Sequence, residues 1–185
     1  SNVSSIFTSP VLLDPNEDYS SLTLGDGDYN WNAQHYCALT STGLMKRWGD
    51  DENSLLRDRV GLKKVSPVSL STLSNVSSLS TGDSYSAAVQ HSCAIQNGEL
   101  WCWGDNSYGQ LGDGTLASKG LPTHIDAGTS YSAVATGGSH TCGVTVNGVL
   151  KCWGNNGEGQ LGSGSITPRY LPHVIDAGLS YSKVA

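Results

Sequence analysis

Residues 140–162 read HTCGVTVNGVLKCWGNNGEGQLG, and residues 91–112 read HSCAIQNGELWCWGDNSYGQLG. A third, worn copy, HYCALTSTGLMKRWG, occupies residues 35–49. A unit of this length cannot bury its apolar face alone, so successive copies must stack on one another.

A second set of landmarks runs alongside the first. Pro10, Pro67, Pro122 and Pro172 each open a short apolar stretch: PVLL, PVSL, PTHI and PHVI. After each comes a matching segment, from Tyr19 to Gly25, Val76 to Gly82, Tyr131 to Gly137, and finally Tyr181 to Ala185. Counted from the prolines, the chain divides into an N-terminal strand or tail (1–9), a divergent first repeat (10–66), a second repeat (67–121), a third (122–171), and the first strand of a fourth (172–185).

Within a repeat, a short alternating run ends at Gly25, Gly82 or Gly137. A second strand begins at His-x-Cys, a tight turn follows, and a third strand ends in Trp-Gly. Short alternating runs punctuated by Gly and Asn are the pattern of strands and hairpins. Only residues 50–64 leave room for a helical turn, and nothing else carries a helical period.

The cysteines test the hairpins. Asn97-Gly98 suits a two-residue turn in which both positions take positive φ. Pairing outward from it sets Cys93 opposite Cys102. In the third repeat, a three-residue loop Val146-Asn147-Gly148 sets Cys142 opposite Cys152. Opposed residues on antiparallel strands lie roughly 4.5–5.5 Å apart at Cα, within reach of a disulfide. We expect Cys93–Cys102 and Cys142–Cys152 bridges. The loop Ser41-Thr42-Gly43 sets Cys37 opposite Arg47, leaving Cys37 as a free thiol in the blade or a link to another chain. Zinc is the competing reading for the His-x-Cys pairs, but zinc sites favour a close Cys-x₂₋₄-Cys knuckle that is absent here. Disulfides point to an oxidising compartment, hence to an extracellular or cell-surface protein.

The run His-x-Cys, Gly-x-Leu-x-Cys-Trp-Gly, Gly-Gln-Leu-Gly resembles the regulator of chromosome condensation repeat. The strongest matches are Trp103-Gly104-Asp105-Asn106 with Gly109-Gln110-Leu111-Gly112, and Trp153-Gly154-Asn155-Asn156 with Gly159-Gln160-Leu161-Gly162. The resemblance extends from about Pro10 onward. It implies an all-β fold: a β-propeller of four-stranded antiparallel blades, usually about seven of them. In that fold Trp48, Trp103 and Trp153 pack between blades. The first copy departs from the pattern after Trp48-Gly49, where Gly-Gln-Leu-Gly is missing. About three and a half repeats cannot close a ring. The remaining blades would come from the rest of a longer chain or from another copy.

Charge narrows the partners. Ten Lys and Arg stand against 16 Asp and Glu, for a net charge of −6. A protein that tracks phosphates carries a basic stripe, whereas the one basic cluster here is Arg57, Arg59, Lys63 and Lys64, so nucleic acid is not expected. No apolar run is long enough for a membrane-spanning helix, and the N-terminal residues do not read as a signal peptide. Asn2-Val3-Ser4 and Asn75-Val76-Ser77 fit the N-glycosylation acceptor pattern.

No Ser-His-Asp set or phosphate loop is present, and the reading needs no cofactor and no metal. His35, His91 and His140 recur at one repeat position and read as framework residues bonding a loop. Asp105 to Asp113 superficially resembles a calcium loop without its terminal acid, and reads as a turn. What the repeats do not share is more informative. Nine residues separate Gly25 from His35, and eight separate Gly82 from His91, where the third repeat has only two. Asp26, Asp28, Tyr29, Trp31, Asp83 and Tyr85 on these inserts are the candidate ligand-binding residues. Aromatic rings beside carboxylates and amides can stack on a sugar or anchor a protein. The expected function is a non-enzymatic extracellular interaction module for protein or glycan binding, or adhesion. The alternatives are an intracellular guanine-nucleotide exchange factor and an architectural subunit of a fibre or shell.

Overall fold

A computed structural model of the chain describes residues 17–25, 35–49, 64–69, 73–82 and 90–185. Every regular element among them is a strand, and the strands form three four-stranded antiparallel sheets. The first sheet holds β1 (Tyr19–Gly25), β2 (His35–Thr40), β3 (Met45–Gly49) and β4 (Lys64–Ser69). The second holds β5 (Val76–Thr81), β6 (His91–Gln96), β7 (Glu99–Gly104) and β8 (Lys119–Ile125). The third holds β9 (Tyr131–Thr136), β10 (His140–Thr145), β11 (Leu150–Gly154) and β12 (Arg169–Val174). In each, the strands lie side by side in chain order. Sheet stacks on sheet through the first strands: β5 packs on β1 and β2, and β9 packs on β5 and β6. Strands ordered by sequence, joined face to face through their inner members, are propeller blades.

The turns form as their residues demand. Asn97 and Gly98 take φ of 52° and 84°, the two positive values that a tight hairpin needs. β6 and β7 then pair from Gln96 with Glu99 out to His91 with Gly104. Gly43 and Gly148 take positive φ in the two three-residue loops. These registers set Cys93 against Cys102, Cys142 against Cys152, and Cys37 against Arg47. Both expected disulfides are formed, and Cys37 is a buried free thiol. Burial pushes that thiol up to about 12, against the lowering pull of the Arg47 charge, so it stays protonated and unreactive.

The prolines sit at a different place in the sheet cycle than in the repeat cycle. Pro67, Pro122 and Pro172 all lie on fourth strands, β4, β8 and β12. Each falls within the irregularity where the ladder to the third strand slips. A residue with no N–H costs least where no ladder bond is due. A repeat counted from its proline therefore starts on the outermost strand of one sheet and continues through three strands of the next. Residues 172–174 belong to β12. Tyr181–Ala185 lie outside any strand, but Tyr181 N donates to Gly148 O at 2.9 Å, as Tyr131 N does to Gly98 O at 2.8 Å.

The core lies between sheets. One buried cluster joins Cys37, Leu39 and Met45 of the first sheet to Leu79, Ala94 and Trp103 of the second. Another joins Cys93, Ile95, Leu100 and Cys102 to Tyr131, Val134 and Trp153 of the third. Trp103 and Trp153 thus pack between blades, each against the preceding sheet. Trp48 is buried and stacks on Tyr36, ring centroids 5.5 Å apart.

Candidate functional site

The seam between the second and third sheets shows what the repeated words do. His91, Thr141 and Gln110 are wholly buried there. Thr141 donates its hydroxyl to the Gln110 carbonyl at 2.7 Å, and Trp153 Nε1 donates to the same carbonyl at 2.9 Å. Both lone pairs of that oxygen are thereby used. His91 Nε2 lies 2.7 Å from the Thr141 hydroxyl. Since that hydroxyl has spent its proton on Gln110, the imidazole must be the donor and carries its proton on Nε2. Nδ1 is left as a buried acceptor with no partner. Desolvation, then the neighbouring His140 charge, lowers the His91 pKa to about 3, with Asp105 opposing. A neutral, sealed imidazole of this kind is no general base. His91 is a framework residue, as expected, but its partner is a strand residue of the next sheet rather than a loop.

The segment between the third and fourth strands is a knot of side chains serving their own backbone. Asn106 is fully buried. Its amide donates to Asp113 and Thr115, and its carbonyl accepts from Leu111 N at 2.9 Å. Asp105 accepts from the Ser107 hydroxyl and Gln110 Nε2, each at 2.7 Å. Asp113 accepts from Thr115 and pairs with Lys119 at 3.2 Å. Partial burial works against its charge, but the Thr115, Lys119 and Asn106 bonds hold its carboxyl below the usual value. These carboxylates are engaged within their loop, as a turn requires. Asn156 repeats the role in the third sheet, donating to the carbonyls of Ser165 and Thr167 and accepting from Leu161 N.

A third recurring pair braces the loop that follows each outer strand. Asp126, at positive φ, accepts from Tyr131 Oη and from Lys151 Nζ, each at 2.6 Å. Tyr181 and Asp176 repeat the first of these bonds at 3.1 Å.

The candidate ligand residues Asp26, Asp28, Tyr29, Trp31, Asp83 and Tyr85 lie outside the described residues, as do Asn2, Arg57, Arg59 and Lys63. The roots of both inserts are described. Gly25 pairs with His35, and Gly82 N donates to His91 O at 2.8 Å. Gln90, which closes the second insert, is buried, and its carbonyl accepts from Asp105 N. The two inserts thus spring from the same connection, first strand to second, of sheets in contact. Asn75, of the second glycosylation pattern, is exposed just before β5.

Sequence reading missed Thr141 and the backbone carbonyl of Gln110. The signal was there in part, since the middle residue of His-x-Cys is Ser92 or Thr141 in the two well-kept copies and Tyr36 in the worn one.

Comparison with known proteins returns the same repeat. The profile of the regulator of chromosome condensation (RCC1) repeat matches residues 97–144, and a second profile of that repeat matches 131–160. The human E3 ubiquitin-protein ligase HERC2 is 31% identical over 135 residues, which is 65% of this chain and 2% of HERC2. Among solved structures, human WBSCR16 superposes with a TM-score of 0.69 at 23% identity, over 87% of this chain and 40% of that one. Prp20p from Saccharomyces cerevisiae, studied for its binding to Gsp1p and histones, superposes at 0.67 and 20% identity, over 91% and 42%. The chain spans well under half of each.

Proposed function

The chain belongs to the regulator of chromosome condensation repeat family, and from that premise we propose that it is a non-enzymatic interaction module, secreted or displayed at the cell surface, that binds a protein or a glycan. One observation carries the reading. The polar side chains the repeats share are spent inside the scaffold: His91 on Thr141, Asn106 and Asn156 on their loops, Asp126 on Lys151. Recognition then falls to what the repeats do not share, above all the inserts 26–34 and 83–90. The other blades belong, in this reading, to the rest of a longer chain or to a second copy.

The compartment is tested by counting thiols in the denatured, unreduced chain purified from its native source. One reactive thiol among the five cysteines is the expected result, given two bridges and Cys37. Five would sink the extracellular reading and favour an intracellular exchange factor.

The insert is tested by Trp31→Ala on an array of immobilised glycans and extracellular protein domains. Whatever the wild-type chain captures should bind the variant at least about tenfold more weakly, as expected of an aromatic anchor, with a nearly unchanged melting temperature. A large fall in melting temperature would make Trp31 a core residue and remove it from the ligand set.

A further inference from the structure

At the rim where the third sheet meets the second, an open cleft of about 400 Å³ is lined by Gly114, Arg169, Tyr170, Leu171, Pro172 and His173. Its floor is fixed: Gly114 N donates to the Tyr170 carbonyl at 2.9 Å, joining the loop of one sheet to the outer strand of the next. Arg169 is the unusual member. Its Nε is shut away from solvent with no hydrogen-bond partner, and no carboxylate among the described residues pairs with it.

The sequence explains why. Gly104 pairs with Lys119 in the second sheet and Gly154 with Arg169 in the third, so the two cations are equivalent. Lys119 has its acid, Asp113, at 3.2 Å. The residue in the place of Asp113 is Ser163. Asn106 donates to Asp113 in one sheet, and Asn156 donates to Ser163 in the other. The third sheet kept the cation and lost the anion. A guanidinium is weakly hydrated and forked, matched to a carboxylate that can accept two parallel bonds.

We propose that this cleft is a second binding site, which takes an acidic side chain on an extended segment of a protein partner. The carboxylate replaces the missing acid of the third sheet, and the segment lies along β12. That strand is the last of its sheet, and an outer strand offers backbone groups to an incoming one. Leu171, largely exposed, and Tyr170, partly so, flank the path. The proposal does not rest on the ligand of the inserts.

The test uses the ¹⁵N-labelled chain and three probes: acetyl-Gly-Glu-Gly-Glu-Gly-amide, the same peptide with Gln for Glu, and inorganic phosphate. The acidic peptide should shift the amide signals of Gly114, Tyr170 and Leu171, and the Gln peptide should need at least about tenfold higher concentration for the same effect. Ser163→Asp returns an internal partner to Arg169, and should weaken the acidic peptide to a similar degree while the rest of the spectrum is kept. Arg169→Gln should do the same. Unchanged binding in Ser163→Asp overturns the proposal even if Arg169→Gln fails to fold. Phosphate shifting the same amides as strongly as the peptide overturns it too, because the cleft would then be a site for small anions.

Discussion

Gly112→Ala should cost the chain about 3–5 kcal/mol, and Gly162→Ala, at the same place one sheet later, only about 1–2 kcal/mol. Both glycines take positive φ, 80° and 68°, so both substitutions carry the left-handed strain of an L-residue. Space separates them. A Cβ on Gly112 would lie 2.5 Å from Trp153 Nε1 and 2.8 Å from its Cδ1. That indole is wholly buried and tied to the Gln110 carbonyl. It can yield only by giving up its bond and its place in the core. A Cβ on Gly162 meets nothing nearer than Ile175 Cγ2 at 3.8 Å. Urea midpoints of the two variants, measured side by side, check the claim. Equal losses would show that backbone strain alone sets the cost and that the indole can move aside.

The second large effect is a loss of stability in mild acid. Unfolded, His91 takes up a proton near its ordinary 6.5, and folded it resists to about 3. Between those values the unfolded chain holds more protons, so stability falls as the pH drops, by up to about 1.4 kcal/mol per pH unit. The contribution is complete above 6.5 and levels off below about 3. Desolvation lowers His140 as well, and the sign is the same. Asp113 and Asp126 titrate below the usual carboxylate value of 3.8. Their stabilising charge is therefore lost only in stronger acid, so a comparison of pH 7 with about pH 4.5 leaves these two carboxylates charged while the histidines titrate. His91→Gln keeps an amide donor for Thr141 and removes the titration. It should be less stable at pH 7 yet lose distinctly less on acidification. A slope as steep as that of the parent chain would assign the acid sensitivity elsewhere.

Much of each sheet was legible because its determinants are local. Asn97-Gly98 permits one tight turn, the turn sets the register, and the register places Cys93 on Cys102. The loop at Gly148 does the same for Cys142 and Cys152. Phase was less legible, since self-similarity gives a period without an origin. The prolines suggested where to start counting, while hydrogen bonding places them on fourth strands. The seam was harder again. His91 and Thr141 are 50 residues apart, and which residue of the next sheet faces the imidazole depends on how sheets stack. The Arg169 cleft needed that stacking and also a comparison of two copies, because an ion pair is visible in sequence only once its members are known to face each other. The insert residues from Asp26 to Trp31, with Asp83 and Tyr85, were singled out by their difference from the third repeat, and they lie beyond what the structure describes.

The offset between repeat and sheet bears on how such a chain can change length. Excising residues 67–121 as one repeat would remove half of β4, all of β5, β6 and β7 and the first residues of β8, and join residue 66 to Pro122. The three inner strands of the first sheet would then be closed by a hybrid outer strand, 64–66 of β4 followed by 122–125 of β8. Gene-level loss or duplication of a whole repeat therefore leaves every sheet with four strands, wherever the cut falls in the cycle. With the cut at the prolines, only the second part of the outermost strand comes from a different ancestor than the rest of the sheet. Each such event adds or removes one blade and brings two formerly distant seams together.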